Sequence, residues 1–154
     1  MIQVKAPRPF AELPHPWVFL AGSIETDRAA RWQHDVVVRL AGQPGTILNP
    51  RRDDWGASWR QERDDPHFRE QVEWELHGQE QADLILMYFA PETQSPVTLL
   101  ELGLFARSSR LVVCCPPGFW RKGNVDVVCE KYGVAMVTTL DGLVARVRAL
   151  QERR

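Results

Sequence analysis

The chain has 154 residues, 44% of them hydrophobic and 25% charged, with a formal net charge of -1 and a pI near 6.4. That size and balance build one ordinary domain around a real core, and they argue against the broad basic surface of a nucleic-acid-binding protein. No apolar run approaches the roughly 20 residues of a bilayer span, and residues 1–7 lack a secretory apolar region, so the expectation is a cytoplasmic protein with neither membrane nor nucleic acid polymer as partner.

Residues 1–16 carry four prolines and no period, and read as an extended arm ahead of a single domain over 17–154. Trp17-Val18-Phe19-Leu20-Ala21 is a short continuous apolar run that suits a buried strand. Gly22 and Ser23 follow at once, then a helical pattern over 27–41. A strand entering Gly-Ser and then a helix is the layout of a ligand-binding first loop in an open α/β sheet, although the same turn also serves as a plain connector. Residues 46–50 read as a second strand closed by Pro50. The segment after it, residues 51–60, is dense in charge and holds Trp55 and Trp59. Asn49, Asp53 and the arginines Arg51 and Arg52 can bond polar ligand edges there and Trp55 or Trp59 can stack on a flat heterocycle, or the segment is an internally salt-bridged loop anchored by its tryptophans.

Residues 66–81 read as a polar, acidic helix on which His67 and His77 are surface residues rather than bases. Residues 83–89, opened by Asp83, form the most hydrophobic strand, as expected at the centre of a parallel sheet. A helix then starts at Ser95-Pro96, a strand covers 111–115, a short helix 125–132, a strand 134–138 and a terminal helix 141–150. Strict alternation of strand and helix predicts a flavodoxin-like, doubly wound α/β fold: a five-stranded parallel sheet with helices on both faces. Cys114, Cys115 and Cys129 have no ligand spacing with His, so they read as reduced structural thiols and no metal is expected. The glycines form neither GxGxxG nor a P-loop, which leaves no motif for a cofactor.

Within the helix that follows Ser95, Glu101 is a carboxylate in the apolar run 97–105. Leu100, Gly103 and Leu104 are expected on its side of the helix. A carboxylate so placed is costly unless it is paired or has a task; the alternative is a solvent-facing Glu on an amphipathic helix.

Four segments acquire a joint meaning: Val18-Phe19-Leu20-Ala21-Gly22-Ser23-Ile24, Asn49-Pro50-Arg51-Arg52-Asp53, Ala82-Asp83-Leu84-Ile85-Leu86, and Ser95-Pro96-Val97-Thr98-Leu99-Leu100-Glu101-Leu102-Gly103. Together they resemble the nucleoside 2-deoxyribosyltransferase-like family, over about residues 17–132. The resemblance implies that Glu101 is a nucleophile attacking C1′ of a 2′-deoxynucleoside or its 5′-monophosphate, and that Asp83 helps to protonate the departing base. It implies Phe19, Gly22, Ser23, Asn49, Arg51, Asp53, Trp55 and Ser95 around the ligand, a nucleoside or nucleotide and a free nucleobase as partners, and a homo-oligomer. The transition state is oxocarbenium-like, so an adjacent carboxylate stabilises it and traps the sugar. The chain departs from the better-known transferases in carrying Ser95 where they have an aspartate and Phe19 where they have a tyrosine. Transfer and hydrolysis both remain open. So does a catalytically silent nucleoside- or nucleotide-sensing module, while a plain flavodoxin-like protein is disfavoured by an anion at Glu101.

Overall fold

In a computed structural model, the structure describes residues 1–25, 31–52 and 59–152. Among them the elements are β1 (Ile2–Lys5), β2 (Trp17–Gly22), α1 (Trp32–Arg39), β3 (Thr46–Asn49), α2 (Pro66–Gln81), β4 (Leu84–Tyr88), α3 (Pro96–Phe105), β5 (Leu111–Cys114), α4 (Lys122–Tyr132), β6 (Ala135–Val137) and α5 (Leu140–Glu152). The sheet has six strands in the order β1-β3-β2-β4-β5-β6, and every neighbouring pair is parallel.

The five expected strands are all present, in the flavodoxin-like order, with β2 and β4 side by side where the winding reverses. The expectation of five strands is corrected by β1. Residues 2–5 pair with β3 in register Ile2 to Thr46 through Lys5 to Asn49. This strand is hard to read locally because only Val4 of its four residues is buried. The free edge of β3 completes it.

Alternate residues of each strand feed two cores. Phe19, Ala21, Ile85 and Met87 face α2, α3 and α4, together with Trp74, Leu102 and Phe105. Val18, Leu20, Ile47 and Leu86 face α1 and α5, together with Trp32, Val36 and Leu143. Phe10, from the segment expected as an arm, joins the first core edge-on to Trp17 and Trp74, at centroid distances of 5.2 and 5.7 Å. Among the described residues no helix is long and apolar enough to cross a membrane.

Local chemistry sets the helix starts. Asp65 caps α2, its carboxylate accepting the N–H of His67 (3.0 Å), Phe68 (3.1 Å) and Arg60 (3.0 Å), with Pro66 in the first turn. Gly22 closes β2 at φ 147°, and a Cβ there would lie 2.4 Å from the Tyr88 carbonyl oxygen of β4 and 2.8 Å from the Trp32 ring. Neither neighbour can withdraw, since both are held in the sheet and core. Gly22→Ala is therefore expected to cost about 3 kcal/mol, a melting-temperature loss of roughly 6–12 °C by circular dichroism. An unchanged Tm would show that the β2–β4 contact is looser than described.

Candidate functional site

At the C-terminal ends of β2 and β4, Ser23 is a fully buried hub. Its Oγ lies 2.6 Å from Ser95 Oγ and 3.1 Å from Thr93 Oγ1, and accepts the N–H of Ala90 at 2.9 Å. Its carbonyl accepts the indole N–H of Trp32 at 3.0 Å. Thr93 and Ser95 are themselves 2.8 Å apart. Three hydroxyls thus lock the first loop to the loop that opens α3. Ser95 sits there at φ 45°, a left-handed conformation that a non-glycine residue adopts only when its surroundings hold it. Glu25 holds it from outside: one carboxylate oxygen accepts the backbone N–H of both Gln94 and Ser95, each at 2.7 Å.

On α3, Glu101 faces inward and is 8% exposed, on the same side as Thr98, Leu102 and Phe105. This decides against the solvent-facing reading. It also corrects the expected helix face: Leu100, Gly103 and Leu104 lie on the outward side. The reason is angular, since Thr98, Glu101, Leu102 and Phe105 follow the three- and four-residue spacing of a helix stripe.

The groups that meet Glu101 come from α2. Gln79, fully buried, donates from Nε2 to Glu101 Oε1 at 2.7 Å. One turn earlier Glu75 lies close enough for its charge to act on Glu101. One turn earlier again, Gln71 donates from Nε2 to Glu75 Oε1 at 2.6 Å and to the Pro50 carbonyl at 2.8 Å. A ladder of amide and carboxyl groups therefore runs from the end of β3 down α2 and crosses to α3. Burial first, then the charge of Glu75, pushes the Glu101 carboxyl up to about 8, against the partial opposition of the Gln79 hydrogen bond. Burial likewise raises Glu75, opposed by Gln71. A Glu101 carboxyl raised this far keeps its proton near neutral pH, and the half-buried Glu75 beside it is raised in the same direction.

Asp83 was expected beside Glu101, and the fold puts it to another use. It precedes β4, at the opposite strand end from Ser23 and Ser95. Its Oδ2 accepts the backbone N–H of Trp17 at 2.7 Å and lies 2.6 Å from His15 Nδ1. The His15 ring stacks on Trp17 at 4.0 Å. Asp83 thus joins the N-terminal segment to β4, and the carboxyl whose charge acts on Glu101 is Glu75. Its signal in the sequence was the spacing of Gln71, Glu75 and Gln79, a polar stripe beside Trp74 and Gly78 on the buried side of α2.

Phe19 is fully buried on the sheet face beneath α2, its ring 6.1 Å from that of Trp74, and a Cβ on Gly78 would lie 2.9 Å from it. Asn49 is buried and its Oδ1 accepts the Arg51 N–H at 3.0 Å. Arg51 keeps a buried Nη1 without a hydrogen-bond partner. Arg52 by contrast pairs with Glu70 at 3.1 Å and lies over Trp59, which stacks on His67. Asp53 and Trp55 lie outside the described residues. In the loop after β5, Arg121 covers the Trp120 ring, and within α4 Lys122 pairs with Asp126 at 2.7 Å.

Among the described residues no group of three or more His, Cys, Asp and Glu is placed to hold a metal ion. Burial pushes the thiols of Cys114, Cys115 and Cys129 up to about 11, 12 and 11, so none is a thiolate near neutral pH.

No curated protein sequence matches the chain significantly. The family model described as nucleoside 2-deoxyribosyltransferase like matches residues 15–119, a span that runs from the segment tied to Asp83, through β2, the amide–carboxyl ladder of α2 and the Glu101 helix, to the loop after β5. A match over more than half of the chain, on the parallel order described above, makes this protein a member of the nucleoside 2-deoxyribosyltransferase-like family.

Proposed function

We propose that the chain is an N-glycosyl enzyme that breaks the bond between base and 2-deoxyribosyl group in a 2′-deoxynucleoside or its 5′-monophosphate. The observation that carries this reading is the buried Glu101 carboxyl, bonded by Gln79 and acted on by the charge of the half-buried Glu75, in the Glu-Leu-Gly motif of a family whose description names 2-deoxyribosyl transfer. In this reading Glu75 takes the place expected of Asp83.

The atoms balance as follows. The C1′–N bond breaks, and the proton shared by the two carboxyls passes to the departing ring nitrogen. Both carboxyls are then ionised, and a Glu101 oxygen bonds to C1′ as the oxocarbenium character develops. Water or a second nucleobase attacks C1′ of the resulting ester and releases Glu101 as a carboxylate. The attacking group gives up its proton to the pair, which regains its starting state. Burial suits both halves of this cycle, since it raises proton affinity for the acid step and leaves the anion poorly solvated for attack. Arg51, with an unfilled buried donor beside Asn49, is the arginine offered to an oxygen-bearing group of the ligand.

The test is release of free base from each 2′-deoxynucleoside and 5′-monophosphate, followed by chromatography with and without a second base. Free base indicates hydrolysis, and an exchanged nucleoside indicates transfer. Glu75→Gln is expected to lower kcat by about 100-fold or more with little change in KM, as for loss of a general acid. Asp83→Asn is expected to act on Tm, through the His15 and Trp17 bonds. The reverse ranking of the two variants in kcat would return the acid role to Asp83. Tight nucleoside binding with no turnover on any substrate would make the chain a sensing module instead.

A further inference from the structure

Gln79 is held more firmly than its place in the last turns of a helix requires. Its side chain is fully buried. Its Nε2 is 2.7 Å from Glu101 Oε1 and 3.4 Å from the Glu75 carbonyl oxygen, so both amide hydrogens have acceptors. Its Oε1, buried as deeply, has no partner at all. A wholly buried carbonyl left unpaired is costly and persists where something compensates it. Packing alone does not ask for an amide: Gly78 beside it meets Phe19, and the strands beneath α2 present Phe19, Ala21, Ile85 and Met87 to this face.

The chemistry of the amide supplies a reason. An ionised carboxyl offers only acceptors, and a protonated one carries a donor. Rotation of the Gln79 amide by a half turn exchanges its NH2 and its carbonyl. One orientation donates to the Glu101 anion. The other accepts from the Glu101 O–H, using the oxygen that now stands idle. No other uncharged side chain of this reach can do both: Met and Leu do neither, and Asn is one methylene shorter.

We infer that Gln79 is a positioning residue for Glu101, a rotating amide that hydrogen-bonds the carboxyl in both of its protonation states and holds one oxygen so that the other faces the substrate. The inference rests on the proposed role of Glu101 for its catalytic meaning, but the contact itself is testable without turnover. The charged group from α2 that acts on Glu101 is Glu75. On α4, the Lys122 and Asp126 charges are paired with each other.

The experiment is titration of the Glu101 carboxyl by carbon NMR in protein labelled at glutamate, with the resonance assigned by its loss in Glu101→Gln. In Gln79→Met the midpoint is expected to rise by about one pH unit, a tenfold change in proton affinity, because the bond lost by the anion is charge-assisted and stronger than the neutral bond lost by the protonated carboxyl. Gln79→Asn, which keeps the amide but withdraws it, is expected to shift the midpoint the same way. Melting curves identify whichever variant is folded, and the titration is read on that one. If the wild-type chain turns over nucleosides, Gln79→Met is also expected to lower kcat at least tenfold with KM within about twofold, and to move the pH profile in step with the NMR midpoint. A midpoint that stays within about 0.3 unit of wild type in a folded variant overturns the inference. A shifted midpoint in a protein that releases no base supports Gln79 while removing the glycosyl reading, so the two fail separately.

Discussion

Glu101→Gln should release base from a 2′-deoxynucleoside at least ~1,000-fold more slowly than the wild-type chain, while melting no lower at pH 8. The first half follows from loss of the nucleophile, since a loss of that size corresponds to about 4 kcal/mol of transition-state stabilisation. The second follows from geometry. Glu101 is 8% exposed, bonded by an amide and acted on by the charge of Glu75, so a neutral amide of the same shape relieves a buried charge and its like-charge repulsion. Gain of stability with loss of turnover is the pattern of a residue kept for chemistry at the expense of the fold. Steady-state kinetics and a thermal melt on the same preparation check both. A variant that keeps its rate would remove the covalent glutamyl intermediate, whatever its melting temperature.

The dependence of stability on pH should be unusual for a protein of this size. Most carboxyls are held below their ordinary range by folding and favour the native state as pH rises. Glu101 does the opposite. Its folded carboxyl is pushed from 4.5 up to about 8, so the native state binds the proton more tightly than the unfolded chain does. Below about pH 4.5 both states are protonated and Glu101 costs nothing. As pH rises from there, unfolding releases the proton and stability falls, and above about 8 both states are ionised and the loss levels off. A shift of that size corresponds to a loss on the order of 4–5 kcal/mol across the window, or roughly 10–20 °C in Tm, and Glu75 is raised in the same direction.

On the acid side the sign reverses. The three N–H bonds to Asp65 hold its carboxyl below its ordinary 3.8, so that capping contribution is present above this value and is lost as pH falls through the lower, folded one. The Tm should therefore peak near pH 4–5 and decline toward 8. Glu101→Gln should remove most of the decline. A wild-type Tm that stays level from pH 5 to 8 would mean that Glu101 ionises in the folded protein without the burial described.

Composition and local pattern already determined much of this protein. The continuous apolar runs at 17–21 and 83–89 mark buried parallel strands, because only a sheet covered on both faces can bury every residue of a strand. Their alternation with helices led to the flavodoxin-like order that the sheet adopts. Pro66 and Pro96 marked two helix starts, since a missing N–H is harmless in the first turn. Glu101 stood out as one carboxylate in an apolar helix, and the Glu-Leu-Gly context led to the family. These are properties of adjacent residues, and adjacency is what a sequence records directly.

What adjacency does not record, only the tertiary structure decided. The outward side of α3 carries Val97, Leu100 and Leu104 while its inward side carries Glu101. An apolar helix thus turns its one carboxylate toward the core, which hydrophobic periodicity alone would not choose. β1 exists because β3 has a free edge, a fact about pairing rather than about residues 2–5. Asp83 opens the strand expected of it, yet its carboxyl is committed to Trp17 and His15 at the N-terminal end of the sheet. Gln79 bonds Glu101, and the charge of Glu75 acts on it, because α2 and α3 cover the same face of the sheet. That contact depends on two crossovers packing together, and the energies that raise both carboxyls arise only once water has been excluded from between those helices.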